Sequence, residues 1–274
     1  MPAVQLARLK IQAAGLGAKF SQPPAFVLEL RSLLESYADH SHRPGQSGSP
    51  SPLLQSYHVP PPVLRQILLE ITPQVTASPE QALAVCDALW QQANLECRSL
   101  AISIIGLLRV EAAGPVLQRA RNWMHSETEE HLIVAMLERG LRRIRQEATV
   151  SYASEVRAWL HSTDFHDQQI GLRALYYLVE DPSFDNLPLA FRLLAPWVRI
   201  APTRLRPFIV RNLRLLVQRT PKETGYFLRT NLATPESPDT AWATRQVLAD
   251  FPEDLQAGLR EALKAAGNKT WFGN

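Results

Sequence analysis

Cysteine is nearly missing from this sequence: its 274 residues contain two, Cys86 and Cys97. They form no C-x-x-C, and a structural zinc would need four ligands, so neither a disulfide framework nor a metal centre follows. Both fall at apolar helical positions and are expected to be buried thiols. Glycine is also sparse, at 12 residues. The glycine-built patterns G-x-x-x-x-G-K-[ST], G-x-G-x-x-G and G-x-S-x-G are missing, which leaves nucleotide hydrolysis, Rossmann redox chemistry and serine hydrolysis without a signature. His125, His131, His161 and His166 have no H-E-x-x-H or other ligand spacing, and nothing near His40 and His42 completes a metal clip. No metal and no cofactor is expected. No apolar run approaches a membrane span without a charge inside it. The stretch Met1–Phe20 sets Leu6, Leu9 and Ile11 against Arg8, Lys10 and Lys19, unlike the continuous apolar core of a signal peptide. A cytoplasmic protein with no membrane partner is the expectation.

Strand patterns are lacking too, and what fills their place is a succession of amphipathic helices. Hydrophobic residues make up 46% and charged residues 20% of the chain, so the bulk of it folds around a core. From about Pro61 onward, apolar residues recur at three- and four-residue spacing between short Pro, Gly, Asn and Asp breaks. The periodicity predicts helices over 4–19, 25–38 (opened by Pro23-Pro24), 61–71, 79–90 (with Ser78 as its N-cap), 95–108, 114–124, 127–146, 150–161, 165–179, 186–199, 203–219, 221–231, 237–249 and 252–266. A Ser/Pro/Gly loop is expected over 40–52. Such rods bury their apolar stripes only against one another. The expected fold is therefore all-α, a HEAT-like helical-repeat superhelical solenoid over residues 53–268. N-terminal helices and the loop occupy 1–52, and a short tail 269–274.

The net charge of +3 is small, but it is unevenly spread. Residues 171–230 hold nine Arg and Lys222 against Glu180, Asp181, Asp185 and Glu223. A local, Arg-dominated positive field results, and Arg's planar fork suits phosphate. On a helical wheel Arg204, Arg211, Arg214 and Gln218 share one face of 203–219, with Ile209, Val210, Leu213, Leu216 and Val217 opposite. Three Arg with no acid at i±4 repel one another unless an anion or acids from neighbouring helices lie alongside.

Residues 57–108 carry a family resemblance. Tyr57-His58-Val59-Pro60 with Leu64-Arg65 is similar to the G-V-x-x-P-x-L-R segment of the HEAT-like-repeat alkylpurine DNA glycosylases, the DNA alkylation repair enzyme family. Ala82-Leu83 and Ala88-Leu89-Trp90 resemble that family's A-L-x-L-W helix. Glu96-Cys97-Arg98-Ser99-Leu100-Ala101 resembles its E-A-R-x-L-A helix start, and Leu213-Arg214 with Pro221 its late W-A-L-R-E … P helix. The resemblance spans Ala25 to about Lys264. It implies a basic concave face that cradles duplex DNA and, in catalytic members, a carboxylate stabilising the departing sugar. The catalytic positions depart from the pattern. After Trp123, where the family has W-D-x-x-D, the chain reads Met-His-Ser-Glu127-Thr-Glu129-Glu130-His131. Gln169 stands at the family's Arg position, one turn before Arg173, and Arg211 stands where an aromatic is usual.

These observations lead to a DNA-binding relative of the alkylation repair glycosylases that lacks base excision. A protein-interaction scaffold and a divergent alkylpurine glycosylase are the alternatives. The nucleic-acid-binding candidates are Arg173, Arg204, Arg206, Arg211, Arg214, Arg219 and Lys222, with duplex DNA as the expected partner and a protein as a further one. Glu127 and Glu130 are the remaining catalytic candidates, although acids at a helix start behind Ser126 as N-cap are also ordinary helix-dipole chemistry. Trp123 is expected to pack with Trp159, and Trp90, Trp197 and Trp242 to serve the core.

Overall fold

The computed structural model describes residues 6–39, 54–235 and 237–269. The expected loop over 40–52, with His40 and His42, lies outside them, as do residues 4–5 of the first predicted helix and the tail from Thr270. Among the described residues there are fifteen α-helices and no strand, only an isolated bridge between Gln55 and Asn94. The all-α class expected from periodicity is the class observed. No single described helix is long and apolar enough to cross a membrane.

The chain divides into two compact units, residues 1–151 and 152–274. The first holds α1 (Leu6–Ala18), α2 (Pro23–Ser36), α3 (Pro61–Ala77), α4 (Pro79–Trp90), α5 (Leu95–Ile105), α6 (Ala113–Ser126), α7 (Glu130–Ala135) and α8 (Arg142–Glu147). Here α1 packs on α3 and α3 on α5, while α2 packs on α4 and α4 on α5. Every second helix thus shares a layer. The stripes that make this possible are Leu9, Ala13 and Leu16 on α1, and Val63, Ile67, Ile71 and Val75 on α3, all fully buried. Such burial stabilises by about 1.5–3 kcal/mol per large aliphatic side chain.

Helix α3 runs six residues past its predicted end at Ile71, through Pro73. The proline removes one backbone donor. Burial of Val75 holds the last turn in place, and the Thr72 hydroxyl donates to the Leu68 carbonyl at 2.7 Å. Between α3 and its predecessor, His58 adopts φ 51°, in the left-handed region that a non-glycine residue enters at a cost. The Ser56 hydroxyl oxygen accepts from the His58 N–H at 3.0 Å and its hydrogen goes to Glu96 Oε1 at 2.8 Å, pinning this turn to α5.

The continuous helix expected over 127–146 is broken. Residues Met136–Gly140 form a π-helical turn between α7 and α8. Gly140 allows a close approach there: a Cβ would sit 2.9 Å from Met136 Sδ and 3.2 Å from Ile102 Cγ2. Close approach to α5 wins over helical regularity. Helix α5 itself stops at Ile105, short of the predicted Leu108, and its true N-cap is Asn94, whose Oδ1 accepts from the Cys97 N–H at 3.0 Å. Cys86 and Cys97 are buried and free, and burial pushes both thiols up, Cys97 to about 12. They remain protonated and unreactive at neutral pH.

Helix α9 (Thr149–Leu160) contains the residue at which the chain passes from the first unit to the second. The second unit continues with α10 (Phe165–Glu180), α11 (Leu187–Arg199), α12 (Arg206–Arg219), α13 (Pro221–Ala233), α14 (Thr240–Val247) and α15 (Glu253–Lys269). Helices α10, α12 and α14 pack in succession as one layer, and α11, α13 and α15 as the other. The buried stripe of α12 is Ile209, Leu213, Leu216 and Val217. Val210, expected among them, is only half-buried because it falls at the edge of that stripe.

At the base of α10, Gly171 lies against α9. A Cβ at this position would fall 2.9 Å from the Leu160 backbone nitrogen and 3.0 Å from its side chain. Gly171→Ala should therefore destabilise despite alanine's better helix propensity. The helices must separate, and overpacking of this kind costs about 1–3 kcal/mol. The expected outcome is a melting temperature lower by several degrees in a thermal scan; an unchanged or raised value would contradict this packing.

Candidate functional site

The basic row predicted on 203–219 faces a groove of about 670 Å³ built from α10, α12 and α14. Arg206, Arg211, Arg214 and Gln218 line it from α12, Tyr176 from α10, and Trp242 and Gln246 from α14. The spacing explains the convergence. Positions 207, 211, 214 and 218 repeat every three or four residues, so burying the Leu213 stripe turns them outward together.

Two guanidinium groups rest on aromatic rings. The Arg211 Cζ lies 3.8 Å from the Tyr176 ring centroid, and the Arg206 Cζ lies 4.4 Å from that of Trp242. Stacking of this sort fixes a long, flexible side chain while leaving N–H donors at the ring edges available. Arg206 is further oriented by Nε donating to the Ala201 carbonyl at 3.1 Å and by Asp239 Oδ1 at 3.3 Å. Arg214 Nε donates to Asp250 Oδ2 at 3.1 Å. Both partners of that last pair are more than a third exposed, so the bridge contributes little and an incoming anion can compete for it. Arg211 has no carboxylate partner within bridging distance among the described residues.

The other candidates are placed elsewhere. Arg204 lies 5.9 Å from the Phe165 ring centroid and does not line the groove, because the chain over 203–205 is a 3-10 turn rather than the first turn of α12. Arg173 is buried, 4.9 Å from the Phe208 ring centroid. Arg219 donates to the carbonyls of Val179, Asp181 and Phe184 and so clamps the C-terminal end of α10. Its donors are taken up by the protein itself. Lys222 opens α13 and lines a different groove, between α11 and α13.

The acidic candidates lie in the first unit. The Glu127 side chain is 2% exposed and accepts from Arg98 Nη1 at 2.6 Å. Its other oxygen accepts from the backbone N–H groups of Thr128 and Glu129, both at 2.9 Å. Ser126 is the last residue of α6 rather than an N-cap, and its hydroxyl donates back to the Asn122 and Trp123 carbonyls. Glu129 Oε1 accepts from the Leu54 N–H at 3.1 Å, and Glu130 is exposed at the start of α7. Trp123 stacks on Trp90, not on Trp159: their centroids are 4.5 Å apart and the rings 6° from parallel. Arg98 Nε donates to the Trp90 and Gln92 carbonyls, and its Cζ lies 5.2 Å from the Trp90 centroid. Trp90, Trp123, Arg98 and Glu127 thus form one half-sealed cluster joining α4, α5 and α6.

Read along the chain, this cluster sits on the A-L-W and E-C-R segments, and the basic groove on the Leu213-Arg214 … Pro221 segment. The pattern of the DNA alkylation repair enzyme family matches residues 30–244, most of the chain. The chain belongs to the DNA alkylation repair enzyme family. No curated protein is significantly similar to it. Within this family member, the residues that periodicity did not reveal are Tyr176, Trp242 and Gln246. Trp242 is expected in the core and Tyr176 carries no signal of its own, and only the packing of α10 and α14 against α12 brings them to the arginines. Arg98 did carry a signal, since it sits in the E-C-R helix start, but its partner Glu127 is 29 residues away.

Breaking a buried pair from one side leaves the other charge without compensation, which costs about 3–5 kcal/mol. Arg98 retains some exposure, so the lower end applies. Glu127→Ala is expected to lower unfolding stability by about 3 kcal/mol in urea titration, whereas replacing both partners with apolar residues recovers much of it. A Glu127→Ala protein as stable as the wild type would show that the pair has no structural role.

Proposed function

We propose that this protein binds duplex DNA through the α10–α12–α14 groove and does not excise bases. We further propose that the layered helices of each unit are HEAT-like repeats. The alternation of every second helix into one layer is the packing that paired helical repeats produce, and it supports that reading. The single observation that carries the DNA-binding reading is Arg211 and Arg206 held on Tyr176 and Trp242 beside Arg214 in one groove, within a family of DNA alkylation repair enzymes. Stacked guanidinium groups can offer paired N–H donors to phosphate oxygens without a further loss of side-chain freedom. Contacts of this kind give affinity and register, not base sequence.

Loss of base excision is supported by the fate of the carboxylate after Trp123. A group that stabilises a cationic sugar must reach it, and Glu127 is spent on Arg98 and on two backbone donors while shielded from solvent. A second reading, a protein-binding face, draws on the Arg206–Asp239 and Arg214–Asp250 pairs, which already neutralise part of the row.

One set of titrations separates these readings. Binding to intact and alkylated duplexes should be weak and fall with salt, with a slope near −2.7 on logarithmic axes if three arginines meet phosphates. Arg211→Glu combined with Arg214→Glu should abolish binding at low salt. Binding unaffected by that double change would remove this surface from the proposal. Base release scored in the same tubes should be nil; release of 7-methylguanine that disappears in Glu127→Gln or Glu130→Gln would establish the glycosylase instead.

A further inference from the structure

The α11/α13 pair carries a second groove, also of about 670 Å³, that DNA binding by α12 does not use. That volume is within the usual range of ligand pockets, about 300–1,000 Å³. Leu187, Phe191, Tyr226 and Phe227 make it apolar, and Arg192 and Lys222 stand exposed at its margin. Tyr226 is 67% exposed, a large aromatic surface left to solvent. An apolar groove rimmed by charge, unlike single exposed apolar residues, marks an interaction site.

The chemistry of the lining narrows the occupant. The polar atoms at the groove floor are satisfied internally: Asn231 Oδ1 accepts from Arg199 Nε at 2.7 Å, and its amide nitrogen donates to the Phe227 carbonyl at 2.8 Å. Recognition there must rest on apolar insertion. The Phe191 and Phe227 rings lean on each other, 5.0 Å between centroids at 35°, so their faces are partly occupied. That arrangement suits aliphatic anchors better than nucleobases, which need open ring faces. The charge at the margin is mainly positive. Arg192, Arg199 and Lys222 oppose one acid, Glu223, whose carboxylate turns back to accept from the Thr220 hydroxyl and is held below its ordinary range by that bond. No sheet edge is on offer among the described residues, so an added strand has nothing to pair with. Helices α11 and α13 each have 13 residues, which gives a trough about 20 Å long at 1.5 Å per residue.

We propose that this groove docks an acidic amphipathic helix of a protein partner. Apolar side chains at i, i+3 and i+7 of that helix lie over Phe191 and Phe227 against Tyr226, and its Asp and Glu residues face Arg192 and Lys222. The site is separate from the α12 groove, so one chain can hold DNA and a partner protein at once.

The test uses the full-length protein and a fluorescein-labelled acidic peptide of about 14 residues with Leu or Phe anchors at i, i+3 and i+7. The expected result is saturable binding by anisotropy, at least about tenfold tighter than a scrambled peptide of the same composition. Tyr226→Glu alone and Arg192→Glu with Lys222→Glu should each weaken it at least about tenfold, with unchanged circular dichroism and unchanged duplex binding. Absence of binding, equal binding of the scrambled peptide, or full affinity in both variants overturns the proposal. So does an oligo(dT) strand, or self-association in sedimentation, that is lost in the same variants while the peptide remains inert. Loss of duplex binding in Arg211→Glu/Arg214→Glu leaves this proposal intact, so the two readings fail separately.

Discussion

Arg219 sets the geometry of the second unit. Its guanidinium takes the carbonyl of Val179 at the end of α10 and those of Asp181 and Phe184 in the turn that follows. One side chain therefore caps one helix and fixes the axial position of another. Tyr176 lies one turn before Val179 on α10, and Arg211 lies two turns before Arg219 on α12, so the clamp also fixes the distance between that ring and that guanidinium. The Asn212 amide adds a second tie, donating to the Leu172 carbonyl at 2.9 Å. A cation on a polar surface that happened to be near a tyrosine would wander; here both ends of the contact are held by the same pair of helices.

The layering then sorts the chemistry. Helices α10, α12 and α14 expose arginine, glutamine and the half-buried rings of Tyr176 and Trp242, whereas α11 and α13 expose Phe191, Phe227 and Tyr226 with cations only at the margin. Both faces are positive, but they differ in what lies between the charges. Fixed donors suit phosphate, and apolar troughs suit side chains. A helical array of this kind can carry such different surfaces because each helix needs only one stripe for its neighbours.

In the first unit the aromatic and charged residues serve the packing. Trp90 and Trp123 stack, Arg98 covers one edge, and Glu127 neutralises Arg98 while holding the turn into α7. Burial makes this carboxylate a good structural tie, because the low dielectric strengthens its pairing with Arg98.

Sequence periodicity alone determined the class and most helix positions, because a 3.6-residue apolar repeat is a local property and each stripe must be buried somewhere. It also determined that Arg211, Arg214 and Gln218 share a face, since that follows from spacing within one helix. It did not determine where α3 ends or that residues 136–140 form a π turn, because Val75 and Gly140 answer to partners from other helices. The same holds for the fates of the remaining arginines. Arg204, Arg173 and Arg219 are alike as candidates by sequence, yet one lies near a phenylalanine outside the groove, one is buried and one caps α10. Only the tertiary structure decided that Tyr176 and Trp242 meet the basic row and that Glu127 meets Arg98. Those contacts join residues 29 to 36 positions apart, and a pairing across that separation is set by how helices pack, not by the pattern along any one of them.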